Sequence, residues 1–185
     1  TREFSAVFGT SELAVATVLA AYMGGLASGA ALAGRVSPRV RRPVLVYGLL
    51  ELGIAAAALA VPLAIRAALT VEIALLGGRE LPADASGVAS ALFYLLCAFA
   101  ILLVPTTFMG ATLPLLARHA VRSDRDVGPR IGALYAVNTA GAIGGTLVCG
   151  FAVLPALGLR ATVWVDVAVN ALVFLLAVAV ARSEP

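Results

Sequence analysis

The sequence predicts an all-α fold, a polytopic bundle of transmembrane helices, and two observations carry that expectation. Hydrophobic residues make up 62% of the 185 and charged residues only 12%, with a mean hydropathy of +1.03. A single soluble core of this size could not hide so much apolar surface. The apolar residues also fall into five stretches, 11–34, 43–69, 88–116, 131–153 and 161–181, each about 20 residues or longer and able to cross about 30 Å of hydrocarbon as a helix. The runs are continuous and rich in alanine and leucine, whereas a barrel strand would show short alternating segments. The chain reads as one transmembrane domain, 1–185, with the lipid bilayer as its first partner.

The basic residues orient it. All 13 are arginine. Arg35, Arg39, Arg41 and Arg42 lie between the first two stretches, Arg118, Arg122, Arg125 and Arg130 between the third and fourth, and Arg182 after the fifth. These connections belong inside by the positive-inside rule. The connection 70–87 sets Glu72, Glu80 and Asp84 against Arg79, and the short one around Pro155 holds only Arg160, so both read as external. The N-terminus of the chain then lies outside and its C-terminus inside. The net charge of +3 is topological in origin, and with no aromatics interleaved among the arginines it points to no nucleic acid. The first apolar run has neither a charged leader nor a small-residue cleavage pattern, so it is not a signal peptide.

In the first stretch Gly25 and Gly29 stand in the G-x-x-x-G relation that lets two helix backbones approach, and Gly141 and Gly145 repeat the device in the fourth; all four are expected at helix–helix contacts. The third stretch contains Pro105 and Pro114, each expected to kink or break the helix. Thr106, Thr107 and Thr112 stand beside them, to re-satisfy freed carbonyls or to line a polar cavity. Cys97 and Cys149 form no metal or redox spacing and read as small buried side chains.

Two ionisable groups lie deep inside apolar spans. Glu51 is eight residues past Pro43, about 12 Å from the inner surface at 1.5 Å per residue. Asp166 is six residues past Arg160, about 9 Å from the outer surface, with Asn170 one turn deeper on the same face. An intramembrane carboxylate is expensive and marks a functional site unless it merely bonds a neighbouring helix. Tyr47, one turn before Glu51, joins Tyr22, Thr112, Tyr135, Asn138 and Thr139 as substrate-binding candidates. The alternative for each is an interhelical hydrogen bond. His119 is the only histidine, so paired haem ligands and a histidine-based zinc site are out of reach. There is no phosphate-cradling glycine loop and no nucleophile with a histidine base. No catalytic motif, cofactor site or metal site is expected within this chain.

Three blocks carry a family resemblance: Phe108-Met-Gly-Ala-Thr-Leu-Pro-Leu-Leu-Ala-Arg118, Gly132-x-Leu-Tyr-Ala-x-Asn-Thr-x-Gly-Ala142 and Gly150-Phe-x-x-Leu-Pro-x-Leu-Gly158. Together with Ala16-Thr-Val-Leu-Ala-Ala-Tyr-Met-Gly-Gly-Leu-Ala-Ser-Gly29, the chain resembles the membrane half of bacterial spermidine synthase-like proteins fused to a major-facilitator-type helical domain. The resemblance implies the N-terminal half of a major-facilitator fold in the bacterial cytoplasmic (inner) membrane. It implies a further helix upstream, a soluble aminopropyltransferase-like domain downstream or on a separate chain, and a polyamine-related solute. The catalytic residues of such a domain are not among these 185. The major-facilitator motif G-x-x-x-D-R-x-G-R-R has its counterpart at Gly34-Arg-Val-Ser-Pro38-Arg39-Val-Arg41-Arg42, where Pro38 replaces the aspartate and Arg41 the second glycine. Two functions remain open: handling of a polyamine or other small organic cation, with Glu51 and Asp166 as acidic anchors, or a non-catalytic scaffold or accessory subunit in a larger membrane complex. Convergence of the polar residues on one cavity favours the first, and their dispersal over interhelical contacts favours the second.

Overall fold

A chain with no water around its backbone must close every peptide hydrogen bond within its own segment, which for continuous apolar runs means helix. The computed structural model describes residues 2–75, 88–121, 123, 125 and 127–183, and nearly all of them are helical. The elements are α1 Arg2–Val36, a 3₁₀ turn Ser37–Arg39, α2 Pro43–Leu75, α3 Val88–Ala120, α4 Val127–Val148, a π-helical turn Cys149–Val153, and α5 Leu154–Ser183. Four helical stretches are long and apolar enough to cross a membrane: Val15–Arg39, Pro43–Val71, Leu95–Ala120 and Val127–Ser183. The protein is a multi-pass helical membrane protein. Large hydrophobic side chains such as Phe151, Leu159 and Leu63 are 70–81% exposed, an arrangement that lipid tolerates and water does not.

Small residues hold the bundle together. Ala21, Gly25, Gly29 and Ala33 recur every fourth residue and form the buried ridge of α1. That ridge lies against α3 so closely that a Cβ on Gly25 would run into the Thr106 side chain, one on Gly29 into the Thr107 carbonyl oxygen, and one on Gly110 into the backbone of Leu26. The matched numbering, 25 with 106 and 29 with 107 and 111, makes α1 and α3 parallel. The α2 helix runs antiparallel beside α3, as the residues they bring together show, and a Cβ on Gly53 would stand 3.3 Å from the Phe108 ring. On its other side α2 packs on α5, where a Cβ on Gly48 would stand 2.8 Å from the Ala177 Cβ.

The expected connection around Pro155 is not a loop. Val127–Ser183 is one helical stretch in which only Gly158, at φ 74° and ψ 170°, leaves helical geometry. Those dihedrals suit a residue without a Cβ. Helix α4 lies antiparallel to α3, with Leu134 and Leu116 lining one cavity, and the far end of α5 lies against the start of α2. The stretch therefore doubles back, and both its ends lie where α1 and α3 finish and α2 begins. Arg35, Arg39, Arg41, Arg42, Arg118, Arg125, Arg130 and Arg182 are thereby gathered at one end of the bundle; Arg79, Glu80, Asp84 and Arg122 of the sequence argument lie outside the described residues. Helix α3 runs unbroken through Pro105 and Pro114, as α2 does through Pro62. A proline at 105 deprives the Ile101 carbonyl of its donor. The Thr106 and Thr107 hydroxyls donate nearby, each 2.7 Å from the carbonyl oxygens of Leu102 and Leu103 respectively. The threonines thus act on the backbone at the proline; Thr106 Oγ1 also lies 3.3 Å from the Ala21 carbonyl oxygen of α1.

Candidate functional site: a polar cavity at the arginine-rich end

Where α2, α3 and α4 meet, in the half of the bundle that carries the arginines, they border a partly open cavity of about 200 Å³. Tyr47 and Glu51, one turn apart on α2, form one wall; Thr112, Leu113 and Leu116 of α3 form the second; Leu134, Val137 and Asn138 of α4 form the third. Tyr47 and Glu51 stand on the same face of α2, within reach of each other. Thr112 donates to the Met109 carbonyl oxygen at 2.7 Å, leaving its oxygen lone pairs as acceptors. Asn138 borders the cavity but is exposed, and it makes no side-chain hydrogen bond among the described residues. Four polar side chains from three helices therefore face one space, and the only charged one is a carboxylate.

The remaining candidates are placed differently. Asp166 and Asn170 form the polar stripe that their spacing implies: Asn170 Nδ2 donates to the Asp166 carbonyl oxygen at 2.9 Å and to Oδ1 at 3.2 Å. Asn170 is buried and Asp166 exposed. The pair does not line the cavity. No arginine forms an ion pair with either carboxylate among the described residues. Tyr22 on α1, and Tyr135 and Thr139 on α4, are exposed and line no part of the cavity.

Of the four glycines expected at helix contacts, Gly25 and Gly29 are pressed against α3, while Gly141 and Gly145 have nothing within 4 Å of a Cβ position, and neither has Gly144. The glycine face of α4 is thus open in this chain, because α4 touches α3 near its inner end and buries no residue. Cys97 is half-buried and Cys149 exposed, in place of the two buried side chains expected. The apolar lining, Leu113, Leu116, Leu134 and Val137, carries no polar signal in the sequence; only the antiparallel register of α3 and α4 reveals it. A larger cleft of about 320 Å³ between α2 and α3 is walled by alanines, valines and Pro105, and it offers a solute no polar group.

The class that fold and site define is a multi-pass helical membrane protein with a carboxylate-bearing, partly open cavity between helices. Compared with protein-family profiles, curated proteins and solved structures, the chain shows no match.

Proposed function

We propose that this chain is the membrane domain of a protein that handles a small organic cation, seated in a bacterial cytoplasmic membrane with its arginine-rich end inside. The observation that carries the reading is the convergence of Tyr47, Glu51, Thr112 and Asn138 on one cavity. A charged carboxylate inside the bilayer costs about 2.5–3.5 kcal/mol on insertion scales, so it stands there for a partner. Glu51 has the Tyr47 hydroxyl one turn away and no cation beside it in the cavity among the described residues, and an ammonium group would supply the charge. At about 200 Å³ the cavity is smaller than the 300 Å³ or so at which drug-sized pockets begin, which suits a slender cation. The resemblance to spermidine synthase-like fused proteins makes polyamines the class to try first, with a soluble aminopropyltransferase-like domain as a partner. Arginines gathered at one end of the bundle support the inside orientation.

Calorimetric titration of the purified protein with spermidine tests this. Glu51→Gln keeps size and hydrogen bonding but removes the charge, and its expected cost is about 1.5–3 kcal/mol, a ten- to hundredfold weaker Kd. Unchanged affinity in a normally folded variant would remove Glu51 from the site. The second reading, a scaffold or accessory subunit, is favoured by one observation, the open glycine face of α4. On that reading spermidine does not bind, and Gly141, Gly144 and Gly145 receive a helix of another subunit.

A further inference from the structure

We propose that α4 is a hinged wall of the Glu51 cavity and that Asn138 is its positioning residue, drawn onto the bound cation when α4 closes. This rests on the cation reading of the cavity. Four observations lead to it. Helix α4 buries no residue of its own. In its outer half nothing among the described residues comes within 4 Å of a Cβ on Gly141, Gly144 or Gly145. Its inner half nevertheless borders the cavity with Leu134, Val137 and Asn138, of which Val137 and Asn138 are exposed. Its junction to α5 holds two departures from α-helical geometry within ten residues, the π turn Cys149–Val153 and Gly158 at φ 74°.

The junction is the place where bending costs least. A π turn replaces i→i+4 bonds with a wider, poorer-aligned set and marks functional positions in helices. At Gly158 the missing Cβ lets the backbone move through dihedrals closed to other residues. From the π turn to Asn138 is 11 residues, a lever of about 16 Å, so a bend of about 10° moves Asn138 by about 3 Å, the difference between a hydrogen bond and none. On α2 and α3, by contrast, Tyr47, Glu51 and Thr112 belong to helices seated on α5 and α1. The fixed side of the cavity bears the charge and the movable side bears an amide.

That amide is unoccupied. Asn170, the other intramembrane asparagine, spends its NH₂ on Asp166; Asn138 has no side-chain hydrogen bond among the described residues although it faces the cavity. Its carbonyl oxygen accepts from an ammonium group that Glu51 already holds. Closure then brings Leu134 and Val137 over the cation and excludes water. A ligand shifts such an equilibrium by its differential affinity for the two positions, and the amide–ammonium hydrogen bond supplies that difference.

The test measures distances between paired spin labels in the full chain, with Cys97→Ala and Cys149→Ala removing the native thiols. The pair Met109→Cys with Ile131→Cys spans α3 and the inner half of α4, and Met109→Cys with Leu32→Cys spans the seated α3 and α1. Without ligand, the α3–α4 pair is expected to give a broad or two-peaked distribution and the control one narrow peak. Spermidine is expected to collapse the first onto its shorter distance and leave the second alone. Asn138→Ala is expected to bind spermidine more weakly yet show no collapse, and Asn138→Gln to restore it. A ligand-free α3–α4 distribution as narrow as the control overturns the hinge whether or not spermidine binds. Collapse that persists in Asn138→Ala overturns the role of Asn138. If spermidine does not bind the unsubstituted protein at all, the cation reading fails, and the ligand-free distribution still decides the hinge.

Discussion

Helices α1 and α4 are built from the same device and use it in opposite ways. Each carries glycines four residues apart, Gly25 and Gly29 in one, Gly141 and Gly145 in the other. In α1 the small residues continue at the same spacing through Ala21 and Ala33, so the ridge is about three turns long, and α3 answers it with Thr106, Gly110 and Ala111. In α4 the corresponding row runs Val137, Gly141, Gly145 and Cys149; Val137 borders the cavity, and among the described residues nothing comes within 4 Å of a Cβ on either glycine. A G-x-x-x-G pair permits close approach; the length of the ridge and a complementary row opposite decide whether approach occurs within the chain.

Three substitutions sharpen the contrast. The largest effect is expected from Gly29→Leu, whose side chain would collide with the Thr107 carbonyl oxygen, a rigid backbone atom. The cost should be about 3 kcal/mol or more, at the upper end of overpacking, read as loss of monodisperse protein and a lowered midpoint in detergent unfolding. Thr106→Val keeps shape but removes the hydroxyl that faces the Ala21 carbonyl of α1; interhelical hydrogen bonds of this kind average about 0.6 kcal/mol, so the same unfolding assay should register a small loss. The smallest effect is expected from Gly145→Leu, within about 0.5 kcal/mol of the unsubstituted protein, since the new side chain meets open space. A loss as large as that at Gly29 would mean that another helix covers this face of α4, and would move the balance toward the scaffold reading.

How far these differences were legible follows from which of them are local. The helical runs could be read because an apolar stretch of about 20 residues has few alternatives in lipid, and the gathering of the arginines at one end follows from alternating passes. The pairing of Tyr47 with Glu51 was legible from one-turn spacing, and the Asp166–Asn170 stripe likewise. The side chains facing the cavity were not, because they depend on the register between α2, α3 and α4: Thr112 and Asn138 qualify, while Thr139, next to Asn138 in sequence, does not. Nor did sequence distinguish the two glycine pairs, since occupation of a ridge is a property of its neighbour. The helical passage through Pro155 ran against expectation: the helix continues through the π turn Cys149–Val153 just before the proline, and the interruption falls three residues after it, at Gly158.

The central claim is that Tyr47, Glu51, Thr112 and Asn138 share a space that an aqueous cation enters while the glycine face of the same α4 helix lies in lipid. Thiol labelling tests it directly, with Asn138→Cys and Gly145→Cys made separately in the Cys97→Ala, Cys149→Ala background and exposed to a small water-soluble thiol reagent. The thiol at position 138 is expected to react and the one at 145 to remain unmodified. Spermidine at ten times its Kd should slow the reaction at 138 about tenfold, in proportion to the fraction of sites left empty. Equal reactivity at the two positions, or reaction at 138 that spermidine leaves untouched, would contradict the account.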